Sequence, residues 1–229
     1  MTKINLKVDG NALNTTHFNA INPVCQVLFA VGSGGNPERH LPLLTFLSEN
    51  NCSVIAPHFD RLVSPETSVD DLLLRAGNLK FALDHVFDPN LPVFGIGHSI
   101  GATLLLALAG GHLWMKNGER LVIPRDERIQ KLVLFAPPTG YFQAPHALDS
   151  IQVPVQAWIG SRDAITPPEQ IEFLRQSLSS RLPFDHRLVE GAGHFSFMNT
   201  LPPQVVDSIA KREDFLMWLG QEVLSFIRT

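Results

Sequence analysis

Short runs of β-branched and aromatic residues alternate along this chain with longer stretches in which apolar residues recur at helical spacing. Residues 4–8 read as a first strand, followed by a turn at Asp9-Gly10-Asn11, and residues 13–20 as a second. Residues 24–31 read as a buried strand that runs into Gly32-Ser33-Gly34-Gly35. Helical spacing returns over 38–50, through Leu41, Leu44 and Leu47. Residues 53–56 give a short strand. Residues 69–86 give a helix with Ser68 placed to cap its first turn. A strand at 92–96 is followed by a helix of small and apolar residues over 100–109, closed by Gly110-Gly111. Strands at 130–135 and 153–159, a helix at 168–178, a strand at 184–189 and an amphipathic helix over 214–227 complete the pattern.

This alternation predicts one α/β domain over residues 1–229, a mostly parallel sheet with helices on both faces. Such sheets bind ligands at the carboxyl ends of their strands, so residues just after strands carry the functional reading.

Composition narrows the classes. The chain has 229 residues, 45% hydrophobic and 17% charged, enough to bury a core without disulfides or metals. A net charge of −4 without blocks of like charge argues against a nucleic-acid partner. The longest apolar run, near 102–109, falls short of a membrane span, and the first residues hold no signal-like apolar core. A cytoplasmic protein with no membrane partner is expected. Cys25 and Cys52 read as reduced, buried thiols. No Cys/His cluster has zinc-site spacing, so neither metal nor cofactor is expected.

The strand at 92–96 leads into Gly97-His98-Ser99-Ile100-Gly101 and then directly into a helix. This is G-x-S-x-G in the strand-turn-helix setting that its chemistry requires. The serine must sit at the apex of a sharp turn, and the glycines remove the Cβ atoms that would clash there. The helix start aims free N–H groups and its positive dipole end at the same point. Ser99 is therefore the candidate nucleophile.

A serine hydroxyl needs a base, and the base needs an orienting acid. Asp163 follows the strand at 153–159, in Gly160-Ser161-Arg162-Asp163-Ala164. His194 follows the strand at 184–189, in Gly191-Ala192-Gly193-His194-Phe195. Both fall on the sheet edge that carries Ser99, in the order nucleophile, acid, base. The competitors fit less well. Asp149 precedes its strand, Asp185 and His186 lie within one, and His98 belongs to the elbow and packs there.

Acyl transfer also needs donors for the developing oxyanion. The backbone N–H of Ile100 is one. The second is expected from the glycine-rich loop, with Ser33 first and Gly34 as alternative. No Lys-Ser/Thr pair follows that loop, which excludes a phosphate-binding P-loop. The same edge supplies pocket candidates: Gly34, then His58, Phe59 and Asp60 after one strand. Pro137, Pro138, Tyr141 and Phe142 follow another, and Phe195 and Phe197 follow the base.

Together, the segments 29–35, 97–101, 160–167 and 191–195 resemble the α/β-hydrolase superfamily over nearly the whole chain. Within it, the chain is similar to the dienelactone-hydrolase-like group of small bacterial hydrolases. The resemblance implies about eight strands, mostly parallel, with the second reversed. Two departures stand out. Relatives often carry His-Gly where this chain has Val31-Gly32, and dienelactone hydrolases proper carry cysteine where it has Ser99. Many relatives also insert a lid after the strand at 130–135. Residues 136–152 are too few and too rich in proline to build a large one.

The expected activity is hydrolysis of a small carboxylic ester through an acyl-enzyme. The alternatives are thioester hydrolysis or acyl transfer on the same triad, and a silent binding protein that reuses the fold.

Overall fold

Burial explains the sheet. In the computed structural model, which describes residues 1–8, 11–63 and 67–229, the central strands are buried along their whole length except at Ser53. They are β3 (Cys25–Ala30), β4 (Cys52–Pro57), β5 (Val93–His98) and, later in the chain, β9 (Val155–Gly160). Such strands read as continuous apolar runs because helices cover both of their faces. The edge strands differ. β1 (Thr2–Val8) is exposed except at Ile4, Leu6 and Val8, and β10 (Phe184–Val189) mixes half-buried with exposed positions. The predicted turn at Asp9 and Gly10 lies outside the described residues.

With β2 (Asn11–Phe18) and β8 (Ile129–Phe135), these strands form one eight-stranded sheet in the order β1-β2-β4-β3-β5-β8-β9-β10. β2 runs antiparallel to both of its neighbours, and all other pairings apart from the β1–β2 hairpin are parallel. The reversed second strand is thus present as expected. Right-handed crossovers then sort the helices between the faces. α1 (Leu41–Glu49) packs on α5 (Arg212–Arg228), and α2 (Val69–Val86) packs on α3 (Ile100–Leu108). α4 (Glu169–Leu178) lies against β9 and β10.

Two helices show the sequence logic well. α2 begins where Ser68 accepts a hydrogen bond from the Asp71 backbone N–H, the cap read from sequence. α3 is buried at all of its positions, which is why it carries no polar face. A short 3₁₀ turn over Pro37–His40 precedes α1, so the helix starts later than its apolar spacing implied. The two-residue strands β6 (Leu113–Trp114) and β7 (Arg120–Leu121), paired as a ribbon, are too short to leave a periodic signal.

The chain leaves β3 toward β4 and returns on the other side of β3 to form β5. Between β3 and β5 lies the switch point where such sheets open a crevice. Ala30 is in register with Gly97, and Val189 with Gly160. The glycine-rich loop therefore lies beside the Ser99 turn, and the Asp163 and His194 loops leave the sheet side by side.

Cys25 and Cys52 are buried, unbonded thiols on paired positions of β3 and β4. Among the described residues no helix is long and apolar enough to cross a membrane.

Candidate active site

Ser99 has φ 54° and ψ −129°, a backbone conformation costly for any residue with a Cβ. It persists because the strand before and the helix after leave no alternative. Ser99 N–H donates to the Phe135 carbonyl (2.9 Å), while the Ser99 carbonyl accepts from Ala102 N–H (2.8 Å). Gly101 is required for this closure, since a Cβ there would overlap the carbonyl oxygens of Ala30 and Val31. The Ser99 side chain does not cap α3. Its Oγ lies 3.0 Å from His194 Nε2, and the first-turn N–H groups of α3 remain available to the site.

His194 Nδ1 lies 2.9 Å from Asp163 Oδ2. Asp163 is buried, and four donors satisfy it. Oδ1 accepts from Ile165 N–H (2.9 Å) and Thr166 N–H (2.8 Å). Oδ2 accepts from His194 and from the Thr166 hydroxyl (2.7 Å). Burial pushes this carboxyl up, but the His194 and Thr166 hydrogen bonds outweigh it and hold the group below its ordinary value. An ionised Asp163 accepts only, so His194 carries its proton on Nδ1. The Nε2 lone pair then faces Ser99.

Two further histidines support this arrangement without sharing its chemistry. His98 Nε2–H donates to the His194 carbonyl (2.9 Å) and so holds the loop that presents the His194 ring. His40 Nδ1–H donates to the Phe197 carbonyl (3.1 Å), and its ring stacks at a tilt on His98. Both rings are buried. Burial drives His40 down to about 3 and His98 well below its ordinary value. The neighbouring groups add to the effect: Arg39 opposes protonation of His40, and the adjacent imidazoles of His194 and His40 oppose protonation of His98.

A stability consequence follows. Below the ordinary histidine value of 6.5, the unfolded chain binds protons that the folded chain refuses. Stability is fully present above that value and, for His40, falls as pH drops toward 3 by about 1.4 kcal/mol per pH unit, with His98 acting in the same direction. Urea unfolding from neutral to mildly acidic pH should show this slope. His40→Gln should reduce it by about one histidine's share. An unchanged slope in that variant would mean that other groups govern the acid transition.

Ser33 and Gly34 line a cavity of about 200 Å³ above Ser99, and Gly32 packs against the Ser99 side chain. Arg75 holds the loop in place. Its buried guanidinium donates to the Gly32 carbonyl (3.1 Å) and the Asp60 carbonyl (2.5 Å) and lies over the Phe59 ring. Nothing in the local sequence marks Arg75, which sits on the buried face of α2 and ties the two loops together.

The pocket walls differ from the sequence reading. Gly34 and Phe195 line the cavity, but His58, Phe59, Pro138, Tyr141 and Phe142 do not. His58 turns toward β2, with Nε2 2.8 Å from the Thr16 hydroxyl, and Phe59 lies beneath Arg75. After β8 the chain bends away from the site. The Pro138 carbonyl accepts from the Thr103 hydroxyl (2.7 Å), and Phe142 is buried against Gly111 beyond the end of α3. This segment holds one 3₁₀ turn, Gly140–Phe142, and no lid helix. Asp60 and Pro137 are also absent from the wall, and Phe197 is buried in the core against Phe135. The wall instead takes Arg61 and Leu62 from beyond β4, and Met198, Pro202 and Pro203 from beyond His194.

That last segment is fastened by a buried acid. The Ser196 hydroxyl accepts from Gly193 N–H (2.8 Å) and donates to Asp207 Oδ1 (2.8 Å). Arg212 pairs with Asp207 and donates to the Met198 carbonyl. The rival carboxylates stand elsewhere: Asp149 pairs with exposed His146, and Asp185 with Arg187 and Gln156.

No family model matches the chain, and no curated protein matches it. Solved structures do. An esterase from the Planctomycetes species Thermogutta terrifontis superposes with a TM-score of 0.69 at 15% identity, covering 99% of this chain and 92% of that one. The same esterase phosphorylated by paraoxon aligns at 0.68 and 15%, covering 98% and 94%. An alpha-beta serine hydrolase homologue from Coxiella burnetii aligns at 0.65 and 18%, covering 95% and 97%. The chain has the α/β-hydrolase fold.

Proposed function

We propose that this protein is a serine hydrolase that cleaves small carboxylic esters through an acyl-enzyme. The observation that carries the reading is the relay from Asp163 through His194 to Ser99, with Ser99 held uncapped at a strained turn. His194 Nε2 takes the Ser99 proton as Oγ attacks the ester carbonyl. Backbone N–H groups of Ile100 and of Ser33 or Gly34 receive the negative charge that develops on the carbonyl oxygen. His194 then returns the proton to the leaving alcohol. A water activated by the same nitrogen releases the acid.

The resemblance in fold to an esterase that paraoxon phosphorylates is consistent with this chemistry. Stopped-flow hydrolysis of p-nitrophenyl acetate tests it. A burst of p-nitrophenol close to one per protein molecule is expected, followed by slower deacylation. Turnover confined to CoA thioesters, with no oxygen-ester burst, would move the assignment to thioesterase.

The cavity is small, and the segment after β8 builds no lid. Across p-nitrophenyl esters from acetate to palmitate, kcat/KM should therefore peak at short chains, with no rise when the substrate passes its solubility limit. A maximum at long chains would mean that another segment shelters them.

A further inference from the structure

Thr166 is buried, although its neighbour Ile165 is open to solvent. A buried hydroxyl costs free energy unless it is bonded, and valine would fill the same volume without that cost. The contacts of the hydroxyl explain its presence there.

Thr166 Oγ1 lies 2.7 Å from Asp163 Oδ2 and 3.0 Å from His194 Nδ1, and those two atoms are 2.9 Å apart. The three atoms form a nearly equilateral triangle, and only two hydrogens serve its sides. The threonine hydrogen goes to the carboxylate, because the Ala136 carbonyl is neutral and farther away at 3.3 Å. The His194 Nδ1 hydrogen is then shared between Asp163 Oδ2 and a lone pair of the Thr166 oxygen. Donation to a carboxylate polarises that oxygen and makes it a better acceptor for the imidazole N–H. The hydroxyl has little freedom to turn elsewhere. Thr166 N–H donates to Asp163 Oδ1 (2.8 Å), Pro167 restricts the Thr166 backbone, and the branched β-carbon limits the side chain to few rotamers.

The other supports of His194 act on its loop and do not set the rotation of its ring. His98 bonds the His194 carbonyl, and Ser196 accepts from Gly193 N–H. The rings of His98 and Phe195 pack on the imidazole, each at 5.0 Å between centroids. The polar contacts of the ring are Ser99 on Nε2 and Asp163 and Thr166 on Nδ1. In the acyl-enzyme, Ser99 Oγ is esterified and has no hydrogen to give. The ring is then held from its Nδ1 side alone while it activates water.

We infer that Thr166 is a positioning residue that holds the His194 ring through the shared Nδ1 hydrogen, and that deacylation depends on it more than acylation does. This deepens the serine-hydrolase reading and rests on it.

Stopped-flow hydrolysis of p-nitrophenyl acetate separates the two steps, the burst reporting acylation and the steady state deacylation. In Thr166→Val the burst should keep its amplitude, with a rate lowered about twofold to threefold. The steady-state kcat should fall about tenfold, the cost of one hydrogen bond to a charged group. KM should fall with it, because slower deacylation lets the acyl-enzyme accumulate, and kcat/KM should follow the smaller loss of the burst. Thr166→Ser should restore both phases to within about twofold. Thr166→Ala, which sets no methyl group against the carboxylate, should show the same uneven loss even where the valine prevents folding.

Burst and steady state slowed by the same factor would overturn the inference. So would rates within about twofold of the original in Thr166→Val and Thr166→Ala, or a loss that serine does not restore. Each of these outcomes leaves the burst of the unaltered protein, and with it the serine-hydrolase reading, in place. Absence of that burst and of turnover on every ester would overturn that reading, and this inference with it.

Discussion

Ser99→Ala is expected to lose ester turnover by about four to six orders of magnitude while folding normally. The side-chain oxygen makes its hydrogen bond to His194 Nε2 and does not cap α3, so its removal leaves the packing around the turn unchanged. Alanine keeps the Cβ, so it meets the same backbone strain at φ 54° that serine already tolerates. The loss should therefore appear in kcat with p-nitrophenyl acetate and be absent from the thermal melting curve. A folded Ser99→Ala protein that keeps even a tenth of the activity would remove Ser99 from the mechanism.

Asp163→Asn is expected to cost about 10⁴ in kcat, and the hydrogen bonds explain why. Oδ1 accepts from two backbone N–H groups that cannot rotate away, so the amide oxygen of asparagine must take that position. The amide nitrogen is then forced to the Oδ2 position, facing His194 Nδ1 and the Thr166 hydroxyl. As a donor it requires an unprotonated Nδ1, which moves the histidine proton to Nε2. His194 would then donate to Ser99 when it should accept. The defect lies in the tautomer, so substrate binding should change little: KM stays near its original value while kcat falls. A small fall in kcat, or greater damage from Asp149→Asn or Asp185→Asn, would show that another carboxylate orients the base.

Strand ends were the legible part of this site. The meeting of Ser99, Asp163 and His194 could be expected from sequence because each follows a strand on one edge of a parallel sheet, and the sheet register brings their loops together. Ser68 as the cap of α2 and the small-residue character of α3 were legible for similar local reasons. The direction taken by a loop after its strand was not. Position on the edge alone places residues beyond β4 and β8 at the pocket. His58 instead bonds to Thr16, and Phe142 packs near Gly111. Those choices depend on partners distant in sequence.

The support around the triad was hidden for the same reason. Arg75 is a lone charge on a buried helix face, and Asp207 reaches Ser196 across a loop. Thr166 left a weak local trace. Its position three residues after Asp163 suits a turn in which the carboxylate accepts from the backbone, as it does. The additional hydroxyl contact to Asp163 and its 3.0 Å approach to His194 Nδ1 became visible only in three dimensions.

The central claim is that Ser99 is activated by His194 and Asp163. Reaction with a fluorophosphonate tests it most directly, because unactivated serine hydroxyls do not react. Intact-mass analysis followed by peptide mapping should find one adduct per chain, on the peptide that holds Gly97-His98-Ser99-Ile100-Gly101, and labelling should vanish in Ser99→Ala and slow strongly in Asp163→Asn. No adduct on the folded protein, or an adduct on another residue that persists in Ser99→Ala, would contradict the account.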